Sequence, residues 1–399
     1  NIIRKQVNAA KRRVKRCRNA TLKEIYMTRF QTIRNHYKSK LLQEKQESWK
    51  RFCTESTKES PWNIYKIAKN GFLRSTPIST LTLENGTTTT SDADTATALL
   101  NRFIPNDPPE LDSTKQHNTR TQISSLGAPN TNPDPDFSNH EVEDIISNLK
   151  NKCPGPDGID SVMVKKLQTI IPTFWLTIFN KCFRLGYFPN VWKTARIIAI
   201  PKADKSKLGH KSGYRGISLL SIPGKCLEKL VMNRLNYFLN TTGIVPKEQY
   251  GFTRGKSTTD AIKAVIDFVQ KTKNLKQKCC LLTLDIAGAF DNAWHPSILS
   301  RLWNQKSPSN IFLTTRSFIQ NRTSHITVGN ASSSKLAKKC CPQGSVAGPT
   351  LWNIIISGLV ENLTSIPDVE LAIYADEIII MNKGSSHQHI LNTFDRAFE

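Results

Sequence analysis

Apolar residues recur along this chain at two spacings, and each spacing predicts a different kind of element. Val7, Ala10, Val14 and Cys17, followed by Leu22, Ile25, Tyr26, Phe30, Ile33, Tyr37 and Leu41, recur at three and four residues, which predicts two or more amphipathic helices with polar outer faces. The same interval returns in Val142, Ile145, Ile146 and Leu149, behind a capping box of Ser138 and Glu141. That helix must stop before Cys153-Pro-Gly-Pro-Asp-Gly158, whose prolines and glycines impose a rigid turn. Further helices are expected at Asp160–Gln168, Pro172–Leu185, Ile222–Leu239 and Val346–Leu363, and around Trp294, Leu299 and Leu302, where Asp291 reads as the cap.

Two stretches alternate with period two instead. From Cys279 to Ile286, Leu282, Leu284 and Ile286 fall on one face of a strand and Leu281, Thr283 and Asp285 on the other. In Leu371-Ala-Ile-Tyr-Ala-Asp-Glu-Ile-Ile-Ile-Met381, two apolar runs flank an acidic break, the pattern of a hairpin turning near Ala375–Glu377. Ala195–Pro201 reads as a buried strand running into Lys202. Residues 76–137 lose both periodicities and fill with Thr, Asn, Asp and Pro, so a flexible linker is expected there, with one short helix near Asp92–Phe103 and no chemistry.

Charge narrows the partners. Lys and Arg number 56 against 32 Asp and Glu, a formal net charge of +24, which points to a polyanion: nucleic acid or an acidic membrane surface. Residues 1–75 hold twenty of the Lys/Arg and five of the Asp/Glu, so this basic helical region is either an arm that grips RNA or DNA or the solvated face of a structural arm. No apolar run approaches the roughly 18 residues of a membrane span, and no signal peptide is evident. Nine cysteines, with adjacent pairs at Cys279/Cys280 and Cys340/Cys341, form neither a disulfide framework nor a zinc pattern, which fits a reducing compartment. The chain starts at Asn1 and stops within a helical pattern, so it is expected to be an excerpt of a longer protein. His387 and His389 lie in a polar context and are not read as a zinc site.

The acidic positions carry the candidate chemistry. Asp376 and Glu377 are adjacent carboxylates at a hairpin tip, so they protonate, turn into water or share a cation. Asp285 ends another apolar strand and is the natural third. Each alone is more simply a solvated or capping residue; together they offer the hard oxygen ligands of Mg²⁺ or Mn²⁺, and a pair of such ions serves in-line phosphoryl transfer. The loop from Lys202 to Tyr214 carries Lys202, Lys205, Lys207 and Lys211, closes on Arg215 and suits a triphosphate. In Gln249–Lys256, aromatics alternate with cations, so Tyr250, Phe252 and Arg254 either hold a template strand or pack in the core. Phe290 places a large ring beside small residues near Asp285, where it would exclude a ribose 2′-hydroxyl. Gln343 and the amides beside it suit a nucleotide, with Ser345 as a cap of the next helix.

Taken in order, Pro154-Gly-Pro-Asp-Gly158, Tyr214-Arg-Gly-Ile-Ser218, Gly251-Phe-Thr-Arg-Gly255, Leu284-Asp-Ile-Ala-Gly-Ala-Phe-Asp291, Pro342-Gln-Gly-Ser345 and Tyr374-Ala-Asp376 resemble the reverse transcriptase of non-LTR (LINE-type) retrotransposons of the arthropod type, from about Ser138 onward. The resemblance implies an α/β (α+β) right-hand polymerase. Its fingers would span 138–275 and its palm 276–399, the palm having antiparallel strands backed by helices. The basic arm and linker would precede them, with endonuclease and thumb outside this chain. It implies an RNA-directed DNA polymerase that transfers nucleotides from dNTP to a primer 3′-hydroxyl using two Mg²⁺ or Mn²⁺ ions. Asp285, Asp376 and Glu377 would be catalytic and would bind the ions with the carbonyl of Ile286; Lys202, Arg215, Gln343 and Gly344 would hold the dNTP, and Phe290 would be the steric gate. RNA template and DNA primer or target would be the partners, in a nuclear and cytoplasmic ribonucleoprotein.

The chain departs from the family pattern at three positions: Glu377 replaces Asp, Gly216 replaces Pro and Ala347 replaces Leu. The longer Glu side chain displaces its carboxylate by about 1 Å, a shift that near reacting atoms reduces rate on the order of 10²-fold. A degenerate copy that only binds nucleic acid is therefore the competing expectation. An RNA-making polymerase conflicts with Phe290.

Overall fold

The N-terminal spacing closes into two helices, α1 (Ile2–Arg16) and α2 (Ala20–Ser56). The computed structural model describes residues 2–17, 19–56, 80–83, 86–202 and 209–398, and contacts divide the chain into units Asn1–Pro77 and Ile78–Glu399. In the first unit Val14 is buried, and Val7, Ala10 and Cys17 are half-buried, as are Tyr26, Phe30, Ile33 and Tyr37. Leu22, Ile25 and Leu41 remain exposed at 46%, 59% and 44%, so the apolar stripe of α2 is only partly covered. The rest of the expected basic region, 57–75, lies outside the described residues, as do Lys205 and Lys207.

The short helix expected near Asp92–Phe103 is present, and the rest of the expected linker also carries capped helix and ion pairs over its described residues. Ser91 caps α3 (Asp92–Phe103), and a Ser113–Gln116 capping box opens α4 (Thr114–Ser125). Arg120 bonds Asp112 at 2.6 Å and Asp107 at 2.9 Å. Serine, threonine and aspartate that suggest a linker by composition thus serve as caps and ion-pair partners.

The Ser138–Glu141 capping box opens α5 (Asn139–Ser147) as expected. It is followed by α6 (Ser161–Ile170), α7 (Phe174–Arg184), α8 (Ile222–Thr241), α9 (Thr258–Asn274), α10 (His295–Asn304), α11 (Ser309–Ile319), α12 (Gly348–Thr364) and α13 (His387–Phe398). The apolar stripes of α5–α8 and α10–α12 make the largest core, with Phe179, Phe183, Leu227, Leu235, Ile298, Ile311 and Leu351 at its centre.

The strands are β1 (Thr194–Pro201), β2 (Tyr214–Leu219), β3 (Lys278–Asp285), β4 (Arg322–Val328), β5 (Ala331–Ala337), β6 (Val369–Tyr374) and β7 (Glu377–Gly384). One sheet runs β2-β1-β4-β5, with β1 and β4 parallel. Strands from either side of residue 275 therefore share a sheet. Ala96, Leu99, Leu100 and Phe103 of α3 cover one of its faces. That one-sided cover explains why β1 is not the buried strand expected: Ala195 and Ile197 are buried, but Ile198 and Ile200 are 43% and 48% exposed. The Phe103 ring lies 2.7 Å from where a Cβ on Gly216 would stand, so the space a larger residue would need there is filled from α3.

The other sheet runs β3-β7-β6, all antiparallel. Trp352, Ile356, Val360 and Leu363 of α12 pack on one face, and Phe268 and Val265 of α9 on the other. Leu282, Leu284 and Ile286 face α12 while Leu281, Thr283 and Asp285 are exposed, so the period-two reading holds. The whole is a mixed α/β fold with helices around two small sheets. No helix among the described residues is long and apolar enough to cross a membrane.

Candidate active site

Tyr374 pairs with Glu377, which leaves Ala375 and Asp376 as a two-residue turn. Hairpins of this kind favour positive φ at the first turn residue, normally glycine; Ala375 takes it with φ 62°, a strain on the order of 1 kcal/mol or more. Neighbouring elements hold it there. The Gln249 Oε1 accepts the Ala375 N–H at 3.3 Å and the Gly251 N–H at 2.8 Å, and the Trp352 indole N–H donates to the Ala375 carbonyl at 2.9 Å. Residues 248–250 run alongside β6, the Tyr250 N–H donating to the Ile373 carbonyl at 2.8 Å. A Cβ on Gly251 would stand 2.2 Å from the Ala375 nitrogen, so only glycine fits against this turn.

Strand register brings the three expected carboxylates to one end of the sheet. Asp285 is the cross-strand partner of Glu377, and the Ile286 N–H donates to the Asp376 carbonyl at 3.2 Å. Asp285 and Glu377 are exposed and Asp376 is half-buried. Their side chains do not form a ready cluster: among the described residues no three His, Cys, Asp or Glu are grouped to hold a metal ion. Successive residues such as Asp376 and Glu377 point in different directions, so convergence of the backbone is not convergence of carboxylates. The donor set itself fits a hard divalent cation, being all oxygen and solvent-facing with freedom to rotate.

A second group surrounds the Pro342–Ser345 turn. The Cys341 N–H donates to the Phe290 carbonyl at 2.8 Å and the Ser218 N–H to the Gln343 carbonyl at 2.7 Å. Gly344 takes φ 117°, and a Cβ there would lie 2.7 Å from the Ser218 carbonyl oxygen. The Gln343 Nε2 donates to Asp291 Oδ1 at 3.0 Å. Asp291 is therefore not the helix cap expected; α10 starts at His295 with Trp294 at its cap position, and Asp291 lies in the preceding turn segment, 287–292. Burial pushes the Asp291 carboxyl above the usual range, while Gln343 and the cations Arg102 and Lys202 pull the other way. Beyond the turn, Ser345 Oγ accepts the Ala347 N–H at 3.0 Å, and α12 begins at Gly348.

Phe290 joins the two groups. Its ring meets Trp352 at 6.0 Å and Phe252 at 6.0 Å, and Trp352 also holds the hairpin turn. Phe252, with φ 57°, is 54% exposed. Tyr250 instead packs against Phe268, Ala372 and Met381 with the Lys256 ammonium 5.2 Å from its ring centre, the core alternative of the two open to it. Arg254 is exposed on the adjoining turn. Lys202 and Arg215 are exposed at the end of the β1–β2 ribbon, where Arg215 pairs with Ile200.

Sequence reasoning passed over Glu228, Gln249 and Trp352. Glu228 is 3% exposed, and its Oε2 accepts the Ser345 hydroxyl at 2.7 Å and the Val346 N–H at 2.8 Å. Its signal was available: Glu228 occupies the same helical stripe as buried Gly224, Met232, Leu235 and Leu239, and a carboxylate on an apolar stripe needs a partner. Trp352 sits in an apolar helix and carries no such mark.

Residues 200–399 match the family described as reverse transcriptase (RNA-dependent DNA polymerase). Over 252 residues, 62% of this chain, the sequence is 36% identical to the RNA-directed DNA polymerase from mobile element jockey of Drosophila melanogaster, covering 27% of that protein. It is 30% identical over 88% of its length to a putative 115 kDa protein in the type-1 retrotransposable element R1DM of the same fly, covering 32% of that protein. To the Pol polyprotein from the type-1 element R1 of Bradysia coprophila it is 28% identical over 89% of its length, covering 34% of that protein. The chain thus spans about a quarter to a third of the length of the curated relatives it matches.

Proposed function

Because this chain belongs to the reverse transcriptase family of non-LTR retrotransposons, we propose that it performs RNA-templated DNA synthesis, adding dNTPs to a primer 3′-hydroxyl. The observation that carries this reading is the register that sets Asp285 opposite Glu377 while Ile286 bonds to Asp376. In it, the β3-β7-β6 sheet is the palm, and the fingers include the β2-β1-β4-β5 sheet, so 322–337 joins the region before residue 275.

Asp285, Asp376 and Glu377, with the Ile286 carbonyl, would hold two Mg²⁺ or Mn²⁺ ions. When bound, the ions supply Lewis acidity at the primer hydroxyl and the triphosphate. Lys202 and Arg215 neutralise the triphosphate from the ribbon end, as a point charge and a bidentate fork. Gln343 and Gly344 orient the nucleotide, and the Phe290 ring fills the space of a 2′-hydroxyl. Phe252 is the template-stacking aromatic, beside Arg254; Tyr250 supports it from the core. The basic faces of α1 and α2 add phosphate contacts.

The test is extension of a DNA primer on an RNA template by the full-length protein containing this chain. Incorporation of dNTP over NTP, lost on chelation, is expected, and Phe290→Ala should admit NTP. A second reading, binding without polymerisation, is favoured by Glu377 standing where the family carries Asp. Tight RNA binding with no incorporation under any divalent ion would select it.

A further inference from the structure

Asp291 lies between two parts of the chain with no local reason to meet. It is 9% exposed, and its two oxygens are divided between partners: Oδ1 takes the Gln343 amide at 3.0 Å, while Oδ2 faces the Arg102 guanidinium at 3.8 Å. A side-chain amide has two rotamers of opposite polarity, and an acceptor fixed on Nε2 leaves Oε1 with one direction. The backbone of Gln343 is already held through Ser218, so Asp291 removes the remaining freedom.

A buried carboxylate is a poor structural choice when one neutral donor is its only partner. Arg102, and after it Lys202, supplies the charge that makes it tolerable, and Arg102 comes from α3, outside the stretch of 200–399 that matches the family. Phe103, the next residue, packs on Gly216 of β2, one residue from Arg215. Helix α3 therefore touches both groups assigned to the nucleotide, by packing beside Arg215 and by charge at Asp291.

We propose that Asp291 is a positioning residue that sets the Gln343 amide for the incoming dNTP, and that Arg102 of α3 holds Asp291 in place. This rests on the polymerase reading for the identity of the ligand. It adds a helix that composition marks as linker to the specificity-determining part of the site.

The test is a double-mutant cycle, read both as the KM for dNTP in primer extension and as the equilibrium Kd for dNTP on the protein–primer–template complex. Asp291→Ala should raise KM and Kd about tenfold, the worth of one oriented hydrogen bond, with kcat changed less. In a Gln343→Ala background the same substitution should add little, because Asp291 acts chiefly through that amide. Asp291→Asn keeps the volume and an acceptor while removing the charge, so it should fall between and should leave the melting temperature near that of the parent. Arg102→Ala should raise KM about threefold, with Arg102→Lys recovering most of it. Arg102 borders a cleft of about 790 Å³ with Asn292, so this truncation opens no void in the core.

Additive losses in the cycle, or losses that track a fall in melting temperature across all variants, would overturn the proposal and leave Asp291 as structural. If the parent binds dNTP but does not extend primers, the polymerase reading fails while the cycle in Kd still decides this one. If the parent binds no dNTP, both fall.

Discussion

The 375–376 turn, flanked by exposed carboxylates, is held by neutral donors and acceptors, whereas the 342–345 turn is held by carboxylates that other elements bury. At the first, Gln249 and Trp352 grip the backbone of Ala375, and the Asp285 and Glu377 side chains remain exposed. At the second, Glu228 is 3% and Asp291 9% exposed, and each is occupied by hydrogen bonds from the turn it supports. The difference separates acids available for chemistry from acids that build the place where chemistry occurs. Both turns meet at Phe290 and Trp352.

The contrast breaks most sharply at Asp285. Asp285→Asn should reduce primer extension at least about 10³-fold, the loss of several kcal/mol of charge stabilisation, with an unchanged melting temperature because the side chain is exposed. A stability loss of the same size would make it structural after all. Gly251→Ala forces a Cβ within 2.2 Å of the Ala375 nitrogen, so the hairpin tip must shift. It should lower kcat on the order of 10²-fold while folding is retained, as circular dichroism would check.

Glu228→Ala should act in the reverse sense, costing roughly 2–4 kcal/mol in a urea titration because the Ser345 hydroxyl and the Val346 N–H lose their buried acceptor. Full stability in this variant would show that the second turn does not depend on its carboxylate. The smallest effect concerns pH. Hydrogen bonds from Arg184 and Arg120 hold Asp136 and Asp112 below the usual carboxylate range. Their contribution is present above an unfolded value of about 4 and lost as pH falls through the depressed folded values, so the urea midpoint should drop below about pH 4. Substituting Met for Arg120 should flatten that drop.

Much of the chemistry-bearing structure was legible because it is local. The Ser138 capping box, the alternation in β3 and the hairpin around Ala375 each need fewer than about a dozen residues to declare themselves. The parallel pairing of β1 with β4 does not: Thr194 meets Thr323, and neither stretch predicts its partner. Residues 80–137 misled for a different reason, since caps and ion pairs draw on the same Ser, Thr and Asp as a linker does. Asp291 was assigned to the nearest helix because spacing sees only neighbours in sequence, while its partners are 52 residues away at Gln343 and on α3.

In the proposed function, Asp285, Asp376 and Glu377 act as one acidic centre in nucleotide transfer. Its most direct measurement is the Mg²⁺-dependent rate of RNA-templated primer extension by the full-length protein, beside its Glu377→Asp variant. Extension by both is predicted, with the variant faster by about 10- to 100-fold. Equal rates would contradict the role given to residue 377, and silence from both, in protein that still folds, would contradict the centre itself.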